Sequence, residues 1–259
     1  MIRHISTHHK TGSIFWKKVF NNIQNKHNIN IVTISEHTKS FKDIEPFILF
    51  NKINVILDFH SSLDISDVTK YSITSVHSFR SPAEIIFSAT NYHLKTDEKW
   101  ANIPNNEFNG LSYKEKLNTF ASFEEKLEFE MENASFNSIN KMISKLANNN
   151  YYHVNIDSIS TDKYMRDLID IYRHLNISEF TKLDDTIISI GIWLDFCSNH
   201  CLWNNPRNNH TTSLNPGVYI DNRQIFTQRS KQKFKDLFGE SLYEQTFNSD
   251  FFNAKFDTQ

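Results

Sequence analysis

Short apolar runs rich in β-branched residues alternate along this chain with longer stretches of helical periodicity. The extended runs occupy residues 3–7, 29–35, 54–59, 71–79 and 151–156. Runs of this kind predict buried strands, and helices between them would connect strands that lie parallel. We therefore predict an α/β fold with a central parallel sheet flanked by helices on both faces. We expect a single domain that spans residues 1–259.

Two segments between the predicted strands carry further expectations. Residues 120–146 follow a helical period and are predicted as one long helical segment. Residues 102–118 are polar and include Pro104, so they are predicted as a loop that crosses the substrate side. Because parallel sheets bind ligands outside the carboxyl ends of their strands, we expect the functional residues at that edge.

Composition excludes several classes of protein. The chain has 259 residues and a formal net charge of −2, so it offers no basic field for nucleic acid. Two cysteines exclude a disulfide framework. There is no apolar run of about 18 residues and no charged-then-apolar leader. We therefore predict a cytoplasmic protein without a membrane span, and the sequence leaves its oligomeric state open.

A phosphate-binding loop is predicted between the first strand and the first helix. The sequence there is His9-Lys10-Thr11-Gly12-Ser13. A strand, a tight loop and a helix aim backbone N–H groups and the positive helix end at an anion. The glycine permits close backbone approach, the lysine adds a point charge, and the two hydroxyls add hydrogen-bond donors. This loop is predicted to hold phosphate or a chemical relative of phosphate.

A second anion site is predicted after the strand at residues 71–79. Arg80 stands at the carboxyl end of this strand, and Pro82 marks the first turn of a new helix. Ser88 lies about two turns into that helix. A planar guanidinium and a hydroxyl suit a second phosphate. Two anion sites on neighbouring strand ends predict one ligand with two separated anionic groups.

These two motifs together resemble the sulfotransferases that use 3′-phosphoadenosine 5′-phosphosulfate (PAPS). The loop at residues 9–14 is similar to that family's 5′-phosphosulfate loop, with Ile14 where many members have a hydroxyl. Arg80 and Ser88 are similar to its 3′-phosphate motif. The resemblance implies a P-loop nucleotide-hydrolase-like sulfotransferase fold and PAPS as the donor, with no metal required. It also implies that the 5′ end of the donor is bound by Lys10, Thr11, Gly12, Ser13, Ile14 and Phe15.

The C-terminal part of the chain matches the family less well. The family has an Arg-Lys-Gly loop that closes over the 3′-phosphate, and this chain has no clear counterpart of it. Asn215-Pro216-Gly217 occupies the corresponding place. Three arginines could substitute for the missing loop, and the sequence does not choose among Arg207, Arg223 and Arg229.

The resemblance also implies how the reaction is catalysed. An acceptor hydroxyl or amine attacks sulfur in line, and the protein neutralises charge on the transferring group, by analogy with phosphoryl transfer. Lys10 is assigned this electrostatic role. His60 ends the strand at residues 54–59, at a place similar to that of the catalytic histidine in cytosolic sulfotransferases, so it is predicted to be the general base. Asp58 is the acidic alternative, although it is expected to point away from the His60 side.

The acceptor is predicted from three loops at residues 61–70, 93–118 and 193–214. These loops are rich in amide, hydroxyl and histidine side chains. Buried polar groups must find partners, so such loops suit a hydroxyl-rich ligand. The prediction is a carbohydrate or glycolipid acceptor, or another polyhydroxylated small molecule.

Two other classes of function stay open at this point. A degenerate, non-catalytic nucleotide-binding module would retain the fold, and the missing Arg-Lys-Gly loop favours it. An ATP-dependent small-molecule kinase would need a Walker A loop and a strand-end aspartate. Asp58 could serve as that aspartate, but His4 and His9 stand where the Walker glycines belong.

Overall fold

The computed structural model describes residues 1–27, 29–34, 39–65, 72–157, 164–179 and 221–248. Its strands are β1 (Ile2–Thr7), β2 (Ile31–Ile34), β3 (Lys39–Ser40), β4 (Val55–Asp58), β5 (Leu63–Asp64), β6 (Ile73–Phe79) and β7 (Tyr152–Asn155). Five of them form a parallel sheet in the order β2-β4-β1-β6-β7, and β3 pairs with β5. All five predicted strands belong to the larger sheet, which confirms the α/β prediction.

Helices fill the connections and cover the sheet. They are α1 (Ser13–Lys26), α2 (Phe41–Phe50), α3 (Pro82–His93), α4 (Tyr113–Thr119), α5 (Phe123–Glu132), α6 (Ala134–Leu146), α7 (Tyr164–His174), α8 (Gln228–Phe238) and α9 (Glu240–Tyr243). Short 3₁₀ helices occupy Lys99–Asn102, Asn106–Phe108, Ile177–Glu179 and Asn222–Ile225, and a π-helical turn occupies Glu244–Asn248. None of the helices in the described ranges combines the length and apolarity needed to cross a bilayer.

Alternation along β4 shows how the sheet separates two layers. Val55 and Leu57 pack in one cluster with the buried face of α1, which includes Trp16. Ile56 points the opposite way and packs in a second cluster with Ile48 of α2. Because successive strand residues face opposite sides, one short strand serves the cores on both faces.

Two predictions about the middle of the chain were wrong. Residues 120–146 form two helices, α5 and α6, because the backbone of Asn133 leaves helical geometry with φ −118° and ψ −106°. Residues 102–118 are not a plain loop, since α4 begins within them. Ser112 and Glu115 form a capping box at its start, in which each side chain accepts from the other residue's backbone N–H.

The sheet face beneath α6 is polar instead of apolar. His4, Ser6, Ser75 and His77 of β1 and β6 are buried there, and we call them the polar layer. Lys145 of α6 reaches down and donates a hydrogen bond of 3.0 Å to the Ser6 hydroxyl. Beneath α6, hydrogen bonds therefore contribute to holding this side of the sheet.

Candidate functional site

The loop after β1 contains two residues with left-handed backbone and is held by internal hydrogen bonds. Lys10 and Gly12 both have positive φ, at 64° and 97°. The Thr11 hydroxyl accepts from the His8 backbone N–H at 2.7 Å and donates to the His8 carbonyl oxygen at 3.1 Å. Thr11, one of the predicted ligand contacts, is fully buried, and its hydroxyl holds the loop. Left-handed backbone is unfavourable for a lysine, and the hydrogen bonds between Thr11 and His8 hold the turn that imposes it on Lys10.

Gly12 holds this loop against the end of the sheet. A Cβ at position 12 would lie 2.8 Å from Cγ1 and Cδ1 of Ile156, which follows β7. Ser78 of β6 donates a 2.6 Å hydrogen bond to the Thr11 carbonyl. The loop is therefore fixed by strands β6 and β7 in a position that only glycine permits without displacement.

The N-terminus of α1 faces the same site with its backbone donors uncovered by a cap. Its N-cap is Gly12, which has no side chain to accept from the first-turn N–H groups, and its first turn contains no acidic residue. Helix N-termini of this kind carry about half a positive charge. Ser13, Ile14 and Phe15 of this first turn line one cavity with Gly12.

This first cavity, of about 320 Å³, brings together most of the predicted site residues. Lys10, His60, Arg80 and Ser88 also line it. Thr11 is the predicted binding residue that does not. Sequence reasoning missed four further lining residues, Phe59, Tyr92, Glu98 and Ile156.

Lys10 lies in an aromatic and acidic environment within this cavity. Its Nζ is 3.2 Å from the centroid of the Tyr92 ring, a cation–π contact. Burial lowers the pKa of Lys10 to about 7, against the attraction of Glu98 and Glu130. A bound anion would stabilise the protonated form of this lysine and raise its pKa.

Arg80 is buried and held between two carboxylates. Its Nε donates to Asp157 Oδ1 at 2.7 Å, and its Nη2 donates to Glu84 Oε2 at 3.3 Å. Glu84 also accepts from the backbone N–H of Asn222 at 3.0 Å. Burial raises the pKa of Glu84, although Arg80 lowers it in part. The guanidinium is thus oriented by Asp157 and by α3 at the edge of the cavity that also carries Ser88.

His60 lies where the first cavity meets a second one. The second cavity, of about 540 Å³, shares His9, His60 and Glu98 with the first. His60 follows β4 in the turn that includes Ser61, whose φ is 51°. A histidine at this boundary can contact ligands in both spaces.

Asp58, the alternative base, accepts hydrogen bonds that stabilise that turn. Its carboxylate accepts from the backbone N–H groups of Ser62 at 3.0 Å and Leu63 at 2.9 Å. Burial alone would raise the pKa of Asp58, but the His4 hydrogen bond and these N–H groups lower it to about 2. Asp58 lines neither cavity, and a carboxyl of such low pKa is a weak base.

Three histidine rings form a hydrogen-bonded row beside the second cavity. His8 Nε2 lies 3.0 Å from His77 Nε2, and His77 Nδ1 lies 3.0 Å from His153 Nδ1. His153 Nε2 lies 3.1 Å from the Asn148 carbonyl oxygen, which can only accept. Neutral rings must therefore donate in one direction, from His8 through His77 and His153 to Asn148. Burial lowers the pKa of His8 to about 3 and that of His77 well below 6.5, which keeps these rings neutral.

The arginines proposed to replace the C-terminal loop are placed only in part. Arg223 pairs with Asp221 at 2.7 Å, and Arg229 pairs with Glu128 at 2.8 Å. Neither lines the first cavity. Arg207 lies outside the described residues, as do Asn215-Pro216-Gly217 and the predicted acceptor loop at 193–214. Within the described ranges, no group of three or more His, Cys, Asp and Glu side chains is placed to hold a metal ion.

The five-stranded parallel sheet with its flanking helices matches the α/β fold of the sulfotransferases. The chain is similar to the crystal structure of mouse sulfotransferase SULT7A1 complexed with PAP, with a TM-score of 0.56 and 15% sequence identity. The alignment covers 96% of this chain and 85% of that one. The sequence matches no protein-family model and no curated protein. The similarity therefore lies in the fold.

Binding of an anionic nucleotide is expected to weaken as pH rises. Lys10 has a pKa of about 7 in the free protein, and a bound phosphate would raise it, so binding takes up a proton above pH 7. The dissociation constant should rise up to about tenfold per pH unit between pH 7 and 9. Calorimetric titration with adenosine 3′,5′-bisphosphate (PAP) at constant ionic strength measures this slope. Lys10→Met should flatten it, Lys17→Met should not, and a flat wild-type profile would contradict the assignment.

Proposed function

We propose that this protein is a sulfotransferase that transfers the sulfuryl group of PAPS to an acceptor hydroxyl or amine. The observation that carries the proposal is the first cavity. It joins the N-terminus of α1 and Lys10 to Arg80 and Ser88, on the fold of a sulfotransferase complexed with PAP. A ligand with two separated anionic groups fits this donor set, because positive groups lie at two places along one cavity.

In this mechanism the protein positions two substrates and moves one proton. Lys10 and residues 12–15 would hold the phosphosulfate end on the loop that Thr11 fixes, and Arg80 with Ser88 would hold the 3′-phosphate. His60 accepts the proton of the acceptor hydroxyl, whose oxygen forms a bond to sulfur as the bridging S–O bond to the nucleotide phosphate breaks. Lys10 neutralises the charge that passes to that phosphate oxygen, and PAP leaves as the product.

The position of His60 supports its role as the base in this proposal. It lines both cavities, so an acceptor in the second cavity would reach a donor in the first cavity beside it. The histidine, amide and hydroxyl side chains among the residues that line the second cavity favour a hydroxyl-rich acceptor, a carbohydrate or glycolipid, over a phenol.

Nucleotide binding with and without Mg²⁺ separates this proposal from its two rivals. Purified protein is titrated with PAP and with ATP, and transfer from labelled PAPS is then measured against sugars, phenols and amines. A sulfotransferase binds PAP without a metal and transfers label. Mg²⁺-dependent ATP binding would identify a kinase, and PAP binding without transfer to any acceptor would identify a non-catalytic module.

Arg80 is a poor position for testing the 3′-phosphate contact. Removing its guanidinium would leave Asp157 and Glu84 as buried carboxylates without their partner. Loss of one member of a buried ion pair costs about 3–5 kcal/mol of stability. Loss of binding in Arg80→Ala would therefore not distinguish a lost ligand contact from a damaged fold.

Ser88→Ala is the sharper test of the 3′-phosphate site. The variant should bind PAP roughly 10- to 100-fold more weakly, because a hydrogen bond to a charged group contributes about 1.5–3 kcal/mol. Its affinity for adenosine 5′-phosphate, which lacks the 3′ group, should change less than about twofold. Calorimetry measures both, with Asn91→Ala on the same helix as the control. Equal losses for the two nucleotides would show that Ser88 does not read the 3′-phosphate.

A further inference from the structure

The second cavity contains buried polar atoms that have no partner within the described part of the chain. His93 is fully buried, and its Nδ1 is 2.7 Å from Glu130 Oε2. Its Nε2 has no hydrogen-bond partner there, and neither has the hydroxyl of Ser138. Both residues line this cavity of about 540 Å³. Because a buried polar atom without a partner is costly, this pair of atoms points to a hydroxyl-bearing ligand.

An aromatic surface stands beside these atoms. The Trp100 ring is 45% exposed and meets the His93 ring edge-on, with centroids 5.1 Å apart. Trp100 Nε1 donates to Glu98 Oε2 at 2.7 Å, which fixes the orientation of the indole. An aromatic face next to polar groups matches the two sides of a sugar ring, one formed by C–H groups and the other by hydroxyls.

A third cavity, of about 380 Å³, continues from the second and is basic. It shares His8 and Lys141 with the second cavity and is also lined by Lys145, Ser61 and Ser144. Burial lowers the pKa of Lys145 to about 8 even though Asp58 and Asp64 attract its charge. An anionic ligand in this cavity would stabilise the charged form of Lys145, whose Nζ already donates to the Ser6 and Ser61 hydroxyls.

Helix α6 connects the two spaces along one face. Asn137, Lys141 and Lys145 are spaced four residues apart, so they share one side of the helix. Asn137 and Lys141 line the second cavity, and Lys141 and Lys145 line the third. His60 lines both the first and the second cavity, so it lies where the two meet.

We propose that these two cavities form the acceptor site and that the acceptor is a hydroxyl-rich molecule bearing a negative group, as in an acidic sugar. This rests on the proposed function, whose acceptor it specifies. The reacting hydroxyl lies at His60, the ring lies against Trp100 and the Ser138 hydroxyl, and the negative group binds Lys141 and Lys145. A carboxylate, sulfate or phosphate supplies the same chemistry at that end.

Two sugars that differ in one group test the proposal by direct binding. Methyl β-glucuronide and methyl β-glucoside differ in a carboxylate against a hydroxymethyl group, and ligand-detected NMR titration measures their affinities without any donor. The glucuronide should bind about tenfold tighter or more, since a charge-assisted hydrogen bond contributes about 1.5–3 kcal/mol. Lys141→Gln, an exposed substitution, should remove most of this preference. Lys18→Gln makes the same charge change on α1 and should leave it intact.

The outcomes separate this inference from the proposed function. Equal binding of the two sugars, no binding of either, or a preference unchanged in both Lys141→Gln and Lys145→Met would overturn it. Thermal unfolding checks that the Lys145 variant is folded. PAP binding and transfer to neutral acceptors without a glucuronide preference would leave the proposed function standing alone. A glucuronide preference without PAP binding would retain the acidic-ligand site and remove the sulfotransferase.

Discussion

His60→Ala is expected to lower the rate of sulfuryl transfer by at least about 100-fold, the usual contribution of a general base. Binding of PAP should change little, because the phosphate contacts proposed above come from α1, Lys10, Arg80 and Ser88. Single-turnover transfer from labelled PAPS measures the rate, and calorimetry measures the binding. The variant therefore separates catalysis from donor affinity.

Two control variants make the His60 result specific. His27→Ala removes a histidine at the end of α1, which lines neither cavity, and should leave transfer unchanged. Asp58→Asn tests the alternative base. It should reduce stability through the lost turn contacts of Asp58 and keep a substantial rate of transfer. Near-normal turnover in His60→Ala, together with a large loss in Asp58→Asn, would reverse the assignment.

Gly12→Ala is expected to reduce both the stability of the protein and its affinity for PAP. The left-handed backbone costs an L-residue about 1–2 kcal/mol. The new Cβ would also lie 2.8 Å from Ile156, and such overpacking costs about 1–3 kcal/mol. Displacement of the loop should weaken PAP binding by about tenfold or more, because the α1 N-terminus moves with it. Urea denaturation and calorimetry measure the two effects.

The chain contains a matched control for this substitution. Gly110 has a φ of +84°, close to the +97° of Gly12, but a Cβ at position 110 would have nothing within 4 Å of it. Gly110→Ala should therefore show the backbone cost alone and leave PAP binding intact. Combining Gly12→Ala with Ile156→Ala should recover part of the loss, which a double-mutant cycle quantifies. Equal destabilisation at positions 12 and 110 would show that the Ile156 contact does not matter.

The sheet and the first cavity are predictable from the sequence because both depend on local patterns. A buried parallel strand is a short β-branched run, and its carboxyl end fixes where the next residues lie, so Lys10, His60 and Arg80 are expected at one edge. The roles of these residues, the single domain and the cytoplasmic location stay predictions.

The missed residues depend on contacts that are distant in sequence. Tyr92 follows the buried pattern of α3, so nothing in the sequence marks its ring as the surface under Lys10. Asp157 meets Arg80 across 77 positions, a pairing that no local spacing predicts. Glu84 is more accessible to sequence reasoning, because it stands four residues after Arg80 at the start of a helix.

The periodicity of α6 predicts its buried side correctly but does not indicate the cavity on its other side. Its apolar positions predict core residues, and Ile139 and Met142 are indeed fully buried. The opposite side holds Asn137 and Lys141, which a periodic pattern describes simply as solvent-facing. The cavity on that side is lined by α6 together with His8, His60 and Trp100 of other segments, which no periodicity within one helix describes.

The buried histidines beneath α6 make the folded protein less stable at acidic pH. His4 and His77 of the polar layer and the neighbouring His8 all have pKa values lowered by burial, while in an unfolded chain they would titrate near 6.5. Below that pH the unfolded chain binds more protons than the folded protein. For each such ring the free energy of unfolding then falls by up to about 1.4 kcal/mol per pH unit. An apolar sheet face would be indifferent to the same change. The histidines that order this side of the sheet at neutral pH thus make its unfolding in mild acid a cooperative uptake of several protons.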